Sequence, residues 1–87
     1  MNTKTRDEIA AWLLDRVAQG ASEEVGSMDY DDFNDGQETH HVCIMRDEGG
    51  EFPVWMSAQS FAADFTITSN TTEEELQALI DEWYDDL

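Results

Sequence analysis

Phe61-Ala62-Ala63-Asp64-Phe65-Thr66-Ile67-Thr68 is the cleanest two-residue alternation in the chain, with Phe61, Ala63, Phe65 and Ile67 on one side and Ala62, Asp64, Thr66 and Thr68 on the other. Such a run is a strand with one face buried, because successive side chains point to opposite sides of a sheet. Immediately before it, Glu51 to Ser57 places Phe52, Val54 and Met56 on one face. Pro53, which has no amide proton, implies an edge position or a bulge there. Asp47-Glu48-Gly49-Gly50 supplies a turn. Ahead of the turn, Glu38 to Arg46 sets His40, Val42 and Ile44 against Thr39, His41, Cys43 and Met45. Residues 21–37 carry Ser, Gly, Asn and Asp around scattered Met28, Tyr30 and Phe33, and read as a loop with at most one short edge strand.

Helical patterns flank the strands. From Thr5 to Ala18, Ile9, Ala10, Leu13, Leu14 and Val17 recur at helical spacing. Thr5-Arg6-Asp7-Glu8 fits a capping box, Gly20 is a stop, and Arg16 lies toward the negative end of the dipole. At the other end, Thr72-Glu73-Glu74-Glu75 is a second capping box, followed by Leu76, Leu79, Ile80, Trp83 and Leu87 on one stripe. The order helix, strands, helix predicts a single α+β domain over residues 1–87: an antiparallel three- or four-stranded sheet with both helices packed on one face. A chain of 87 residues buries only about 60 to 65% of its unfolded surface, so the core is thin. Trp12, Trp55, Trp83 and Tyr84 are expected in or near that core. Tyr30, Phe33 and Tyr84, flanked by acids, also suit interface anchors.

The charge is the dominant compositional fact: 21 Asp plus Glu against four Lys plus Arg gives −17. Residues 1–16 are neutral, whereas beyond Arg16 the sole cation is Arg46. A field of this sign repels nucleic acid and anionic membrane and attracts basic surfaces, and it opposes folding by self-repulsion. On the last helix, steps of 100° from Leu76 put Glu74, Glu75, Asp81, Glu82, Asp85 and Asp86 between about 140° and 280°, opposite the apolar stripe. No Lys or Arg stands three or four residues away to pair with them, and the row crowds the negative pole of the dipole. Duplex DNA carries one charge per roughly 1.7 Å of axis, so seventeen charges correspond to about 29 Å, the diameter of a compact chain of this length.

Other chemistry fails on spacing. With Gly36 at the sixth position of a calcium loop, Phe33 and Val42 fall where oxygen ligands are required. His40 and His41 point to opposite faces of a strand and cannot share a metal; His41 and Cys43 share a face but lack a third ligand or orienting group. No apolar run is long enough for a membrane span, the opening Met-Asn-Thr-Lys-Thr-Arg leads into an amphipathic pattern and is not expected to be a signal peptide, and one cysteine permits no internal disulfide, which fits a bacterial cytoplasm. The expectation is a non-enzyme without cofactor, metal or direct nucleic-acid binding.

In size, acidity and lack of a catalytic motif the chain resembles the small phage-encoded DNA-mimic inhibitors, among them antirestriction, anti-CRISPR and uracil-DNA glycosylase inhibitor proteins. The resemblance is compositional and spans the whole chain; these inhibitors share no fold, so no residue is carried over. It implies carboxylates occupying the Lys and Arg groove of a nuclease or CRISPR surveillance complex, anti-CRISPR slightly ahead of antirestriction. The expected partner-binding residues are Asp29, Asp31, Asp32, Asp35 and Glu38 in the loop, and Glu74, Asp81, Glu82, Asp85 and Asp86 on the last helix. Competing expectations are an acidic adaptor or immunity protein for a basic partner unrelated to nucleic acid, and halophilic adaptation; Trp12 on the neutral first helix could pair two copies.

Overall fold

A computed structural model describes residues 1–20, 26–58 and 61–85. Two α-helices, α1 (Thr3–Gly20) and α2 (Glu73–Asp85), enclose in sequence four strands, β1 (Met28–Asp35), β2 (Glu38–Met45), β3 (Phe52–Ala58) and β4 (Phe61–Ile67). The strands form one antiparallel sheet in the order β1-β2-β3-β4. Both helices pack on the same side, α1 over β1 and β2 and α2 over β4, and they touch each other. This is the two-layer α+β architecture expected from the periodicity.

The core is one cluster between the layers. Ile9, Ala10, Leu13 and Val17 of α1 and Leu76 and Ile80 of α2 meet Val42, Ile44, Phe52, Val54, Met56 and Ile67 of the sheet. Each of these side chains except the small Ala10, buried from water, contributes on the order of 1.5 to 3 kcal/mol, which a domain this small needs to offset its backbone entropy.

Four local expectations are corrected. The segment read as loop contains β1, an eight-residue edge strand paired along its whole length with β2. The pair closes through a two-residue turn in which Gly36 takes φ 65°, the first position where a type II′ hairpin takes glycine. Second, α1 starts before Thr5: Asn2 Oδ1 accepts the Lys4 amide at 2.8 Å as the cap. Thr5 instead is buried and donates its hydroxyl to the Asn34 carbonyl at 2.6 Å, tying helix to edge strand. Third, the cation at the end of α1 is Arg46, which donates to the Gly20 carbonyl at 2.6 Å. Arg16 pairs with Asp15 and Asp29. Gly20 sits where a Cβ would come within 2.9 Å of the Phe52 ring. Fourth, β3 is internal. Pro53 pairs with Thr66 of β4 but lies one residue past the last β2–β3 pair, Ile44 with Val54, so its missing amide breaks no rung there.

Of the second capping box the threonine half forms as expected, while the Glu75 carboxylate takes the Thr72 hydroxyl and not its amide. Thr72 Oγ1 accepts the Glu75 amide at 3.2 Å and donates to Glu75 Oε1 at 3.1 Å. Leu76 and Ile80 are fully buried and Leu79 partly so, while Asp86 and Leu87 lie outside the described residues.

Candidate partner-binding face

Strand register decides which face each side chain takes, because directly opposed residues share a side. On the side covered by helices run the rows Asp29, Ile44, Val54, Phe65 and Asp31, Val42, Met56, Ala63. On the opposite side run Tyr30, Cys43, Trp55, Asp64 and Asp32, His41, Ser57, Ala62, with Met28 beside Met45. No described element covers this second side.

The open face holds most of the large exposed hydrophobics: Met28 is 62% exposed, Tyr30 56%, Trp55 45% and Met45 42%. Trp83 of α2 joins them around the β4 edge, lining a recess with Trp55, Ala62, Ala63 and Asp64. The expectation that Trp55 and Trp83 lie in or near the core is therefore overturned. Trp55 sits between Val54 and Met56, both core residues, and the pleat turns it to the other side. Trp12 and Phe33 do pack inward, edge to face at 5.8 Å, and Tyr84 lies against the buried His40 with ring centroids 5.8 Å apart. Of the three proposed anchors, only Tyr30 stands on the open face.

The predicted acidic residues divide rather than forming one surface. Asp29, Asp31, Asp32, Asp35 and Glu38 lie on strands, not in a loop. Asp29, Asp31 and Asp35 sit on the helix side of the β1 edge and Asp32 on the open side. Glu38 opposes Asp35 across the turn, both half-buried, and Asp35 accepts the Asn2 amide at 2.7 Å. Glu74, Glu75 and Glu82 are exposed on α2. Asp81 leaves the row: Arg6 of α1 donates to it at 2.7 Å, while Gln77 reaches across to Asp7 at 3.1 Å, so a polar seam joins the helices. Asp85 closes α2 and Asp86 falls outside the described residues. The β1 acids and the α2 acids thus stand at opposite edges of the sheet, separated on the helix side by α1.

Cations follow the opposite rule. Lys4, Arg6 and Arg16 lie on α1, and Arg46 turns to its last carbonyl. Going the other way around the molecule, from Asp32 on β1 across Tyr30, Trp55 and Asp64 to Trp83 and Glu82, no Lys or Arg is met among the described residues. The candidate site is this continuous surface, aromatic and thioether in the middle and anionic at both rims.

The open face also carries His41 and Cys43. His41 Nδ1 lies 2.6 Å from Asp32 Oδ1, and its ring stacks on Tyr30 at 5.5 Å. That supplies the orienting carboxylate for which the sequence offers no signal, two residues along the strand from Cys43. Burial nevertheless pushes the Cys43 thiol up, with the Trp55 backbone opposing it only in part, whereas a nucleophile needs its thiolate favoured. Among the described residues no group of three His, Cys, Asp or Glu is placed to hold a metal ion, and no helix is long and apolar enough to cross a membrane.

Fold and surface together define a small α+β protein with an uncovered, anionic-rimmed sheet face. No family model, curated protein or solved structure matches the chain.

Proposed function

We propose that this protein is a stoichiometric inhibitor that seats its anionic surface in the nucleic-acid groove of a basic protein, a nuclease or a CRISPR surveillance complex of the anti-CRISPR type. The observation that carries the reading is the segregation of charge. The cations are gathered at α1, while the carboxylates of β1, β4 and α2 stand on regular elements around the rest of the molecule. Charges on rigid elements are already ordered, so binding costs little conformational entropy, and a field of one predominant sign steers a cationic groove toward them. The dimensions agree: the long axis is 35 Å, over which a duplex displays about twenty charges against −17 here.

The test is displacement. The immobilised protein is loaded with a bacterial lysate at graded salt, and the retained protein is challenged with duplex DNA and single-stranded RNA. A mimic's target is released by one of them and loses its own nucleic-acid activity at an equimolar dose. Replacing Asp29, Asp31 and Asp32 together by Lys weakens retention and flattens its salt dependence. A partner that neither polymer displaces supports the second reading, an acidic adaptor or immunity protein, which the exposed aromatic and methionine side chains of the open face favour.

A further inference from the structure

The recess at the β4 edge holds about 160 Å³ and is lined by Trp55, Ala62, Ala63, Asp64 and Trp83. At roughly 30 Å³ per water it has room for about five waters, close to the bulk of a guanidinium with its adjoining methylene. Two alanines keep it open, where longer side chains on β4 would fill it. Both indoles and the Asp64 carboxylate remain reachable from solvent. None of Lys4, Arg6, Arg16 or Arg46 lines it.

Elsewhere the chain builds the same combination from its own residues. The Arg16 guanidinium lies 6.0 Å from the Trp12 ring centroid and pairs with the Asp15 and Asp29 carboxylates. Indole, carboxylate and guanidinium are all present there, whereas Trp55, Trp83 and Asp64 supply the first two and lack the third. Indole faces are the strongest aromatic sites for cations, and a guanidinium suits such a wall better than an ammonium because it is planar, weakly hydrated and carries five donors in a fixed fork.

We propose that this recess receives an arginine side chain of the basic partner, its plane against the indoles and its N–H groups donating to Asp64. The inference deepens the proposed function, since it rests on a cationic protein partner and names the side chain that enters.

Three tryptophans make the test direct, because each indole N–H gives its own nuclear magnetic resonance signal, assigned by Trp12→Phe, Trp55→Phe and Trp83→Phe. Acetylated tetra-arginine amide, titrated into the full chain at low salt, is expected to shift the Trp55 and Trp83 signals saturably and leave Trp12 in place. Tetra-lysine amide should bind at least about threefold more weakly, and Asp64→Asn should weaken tetra-arginine about fivefold. Asp64 is exposed, so this variant keeps the fold, and an unchanged Trp12 signal verifies it. Equal affinities for the two peptides overturn the assignment. So do an Asp64→Asn variant that binds unchanged, shifts confined to β1 or α2, and a Trp55 signal that moves with protein concentration alone, which would mean a second copy fills the recess. Failure here with oligonucleotide displacement intact leaves the mimicry standing; indole shifts without displacement leave the recess and sink the mimicry.

Discussion

The same strands present two faces that obey opposite rules. Toward the helices, β2 and β3 turn His40, Val42, Ile44, Phe52, Val54 and Met56, all buried; away from them they turn His41, Cys43, Met45 and Trp55, of which only Cys43 is buried. Both sets are rich in apolar atoms, so composition cannot tell them apart. What separates them is whether another layer is present. The lesson is that an apolar residue on an alternating strand marks a surface that wants covering, and on the open face no part of the described chain provides the cover.

Adjacent residues of β3 give the sharpest way to break this contrast. Met56→Ala empties a fully buried site and should cost about 2 to 5 kcal/mol in urea unfolding, a large share of what a small domain has. Trp55→Thr, one residue earlier, should cost less than about 1 kcal/mol while reducing partner retention. Comparable losses of stability from both would show that the open face is packed in solution.

Effects away from β3 are smaller. Thr72→Ala removes the oxygen that caps α2 and should cost about 0.5 to 2 kcal/mol, read as a lower melting temperature. The adjacent histidines sharpen the comparison through pH. Burial lowers the affinity of His40 for a proton, with Asp35 and Glu38 opposing, so the unfolded chain takes up that proton more readily than the folded one. The stability this provides is complete above the ordinary histidine value of about 6.5 and declines as pH falls toward the folded value. Wild type should therefore lose stability relative to His40→Phe between about pH 7.5 and 5.5. Subtraction cancels the carboxylate background, which the two proteins share. A gap independent of pH would mean that His40 titrates as it does in the unfolded chain.

Much of the fold was legible because burial imposes a period. β4 and α2 pair strong periodicity with a stripe that meets the core, and Thr72 marks its helix start by local chemistry alone. β1 was illegible for the converse reason. Met28-Asp29-Tyr30-Asp31-Asp32-Phe33-Asn34-Asp35 contains four aspartates, which disfavour strands, and only Phe33 of its helix-side positions is apolar. Pairing with β2 overrides that propensity, and the one usable clue was Gly36 followed by Gln37 at hairpin position. Thr5 misled because a threonine followed three residues later by glutamate looks the same whether its hydroxyl caps the helix or reaches another strand. Within the site, the rim carboxylates were legible as charge but not as geometry. Arg6 is seventy-five residues from Asp81, a separation at which no sequence spacing rule operates. Trp55 was misassigned because its exposure depends on how many layers the sheet has.

The edge strand carries a consequence for how copies of this protein meet. β1 ends the sheet with four aspartates along one ribbon, and Asp64 stands on β4 at the far side. Two such ribbons brought together would set like charges opposite one another, so the sheet resists lengthening by addition of its own kind. A strand from another protein escapes that repulsion when it arrives studded with lysine or arginine, which makes the border of this sheet a gate that admits by sign.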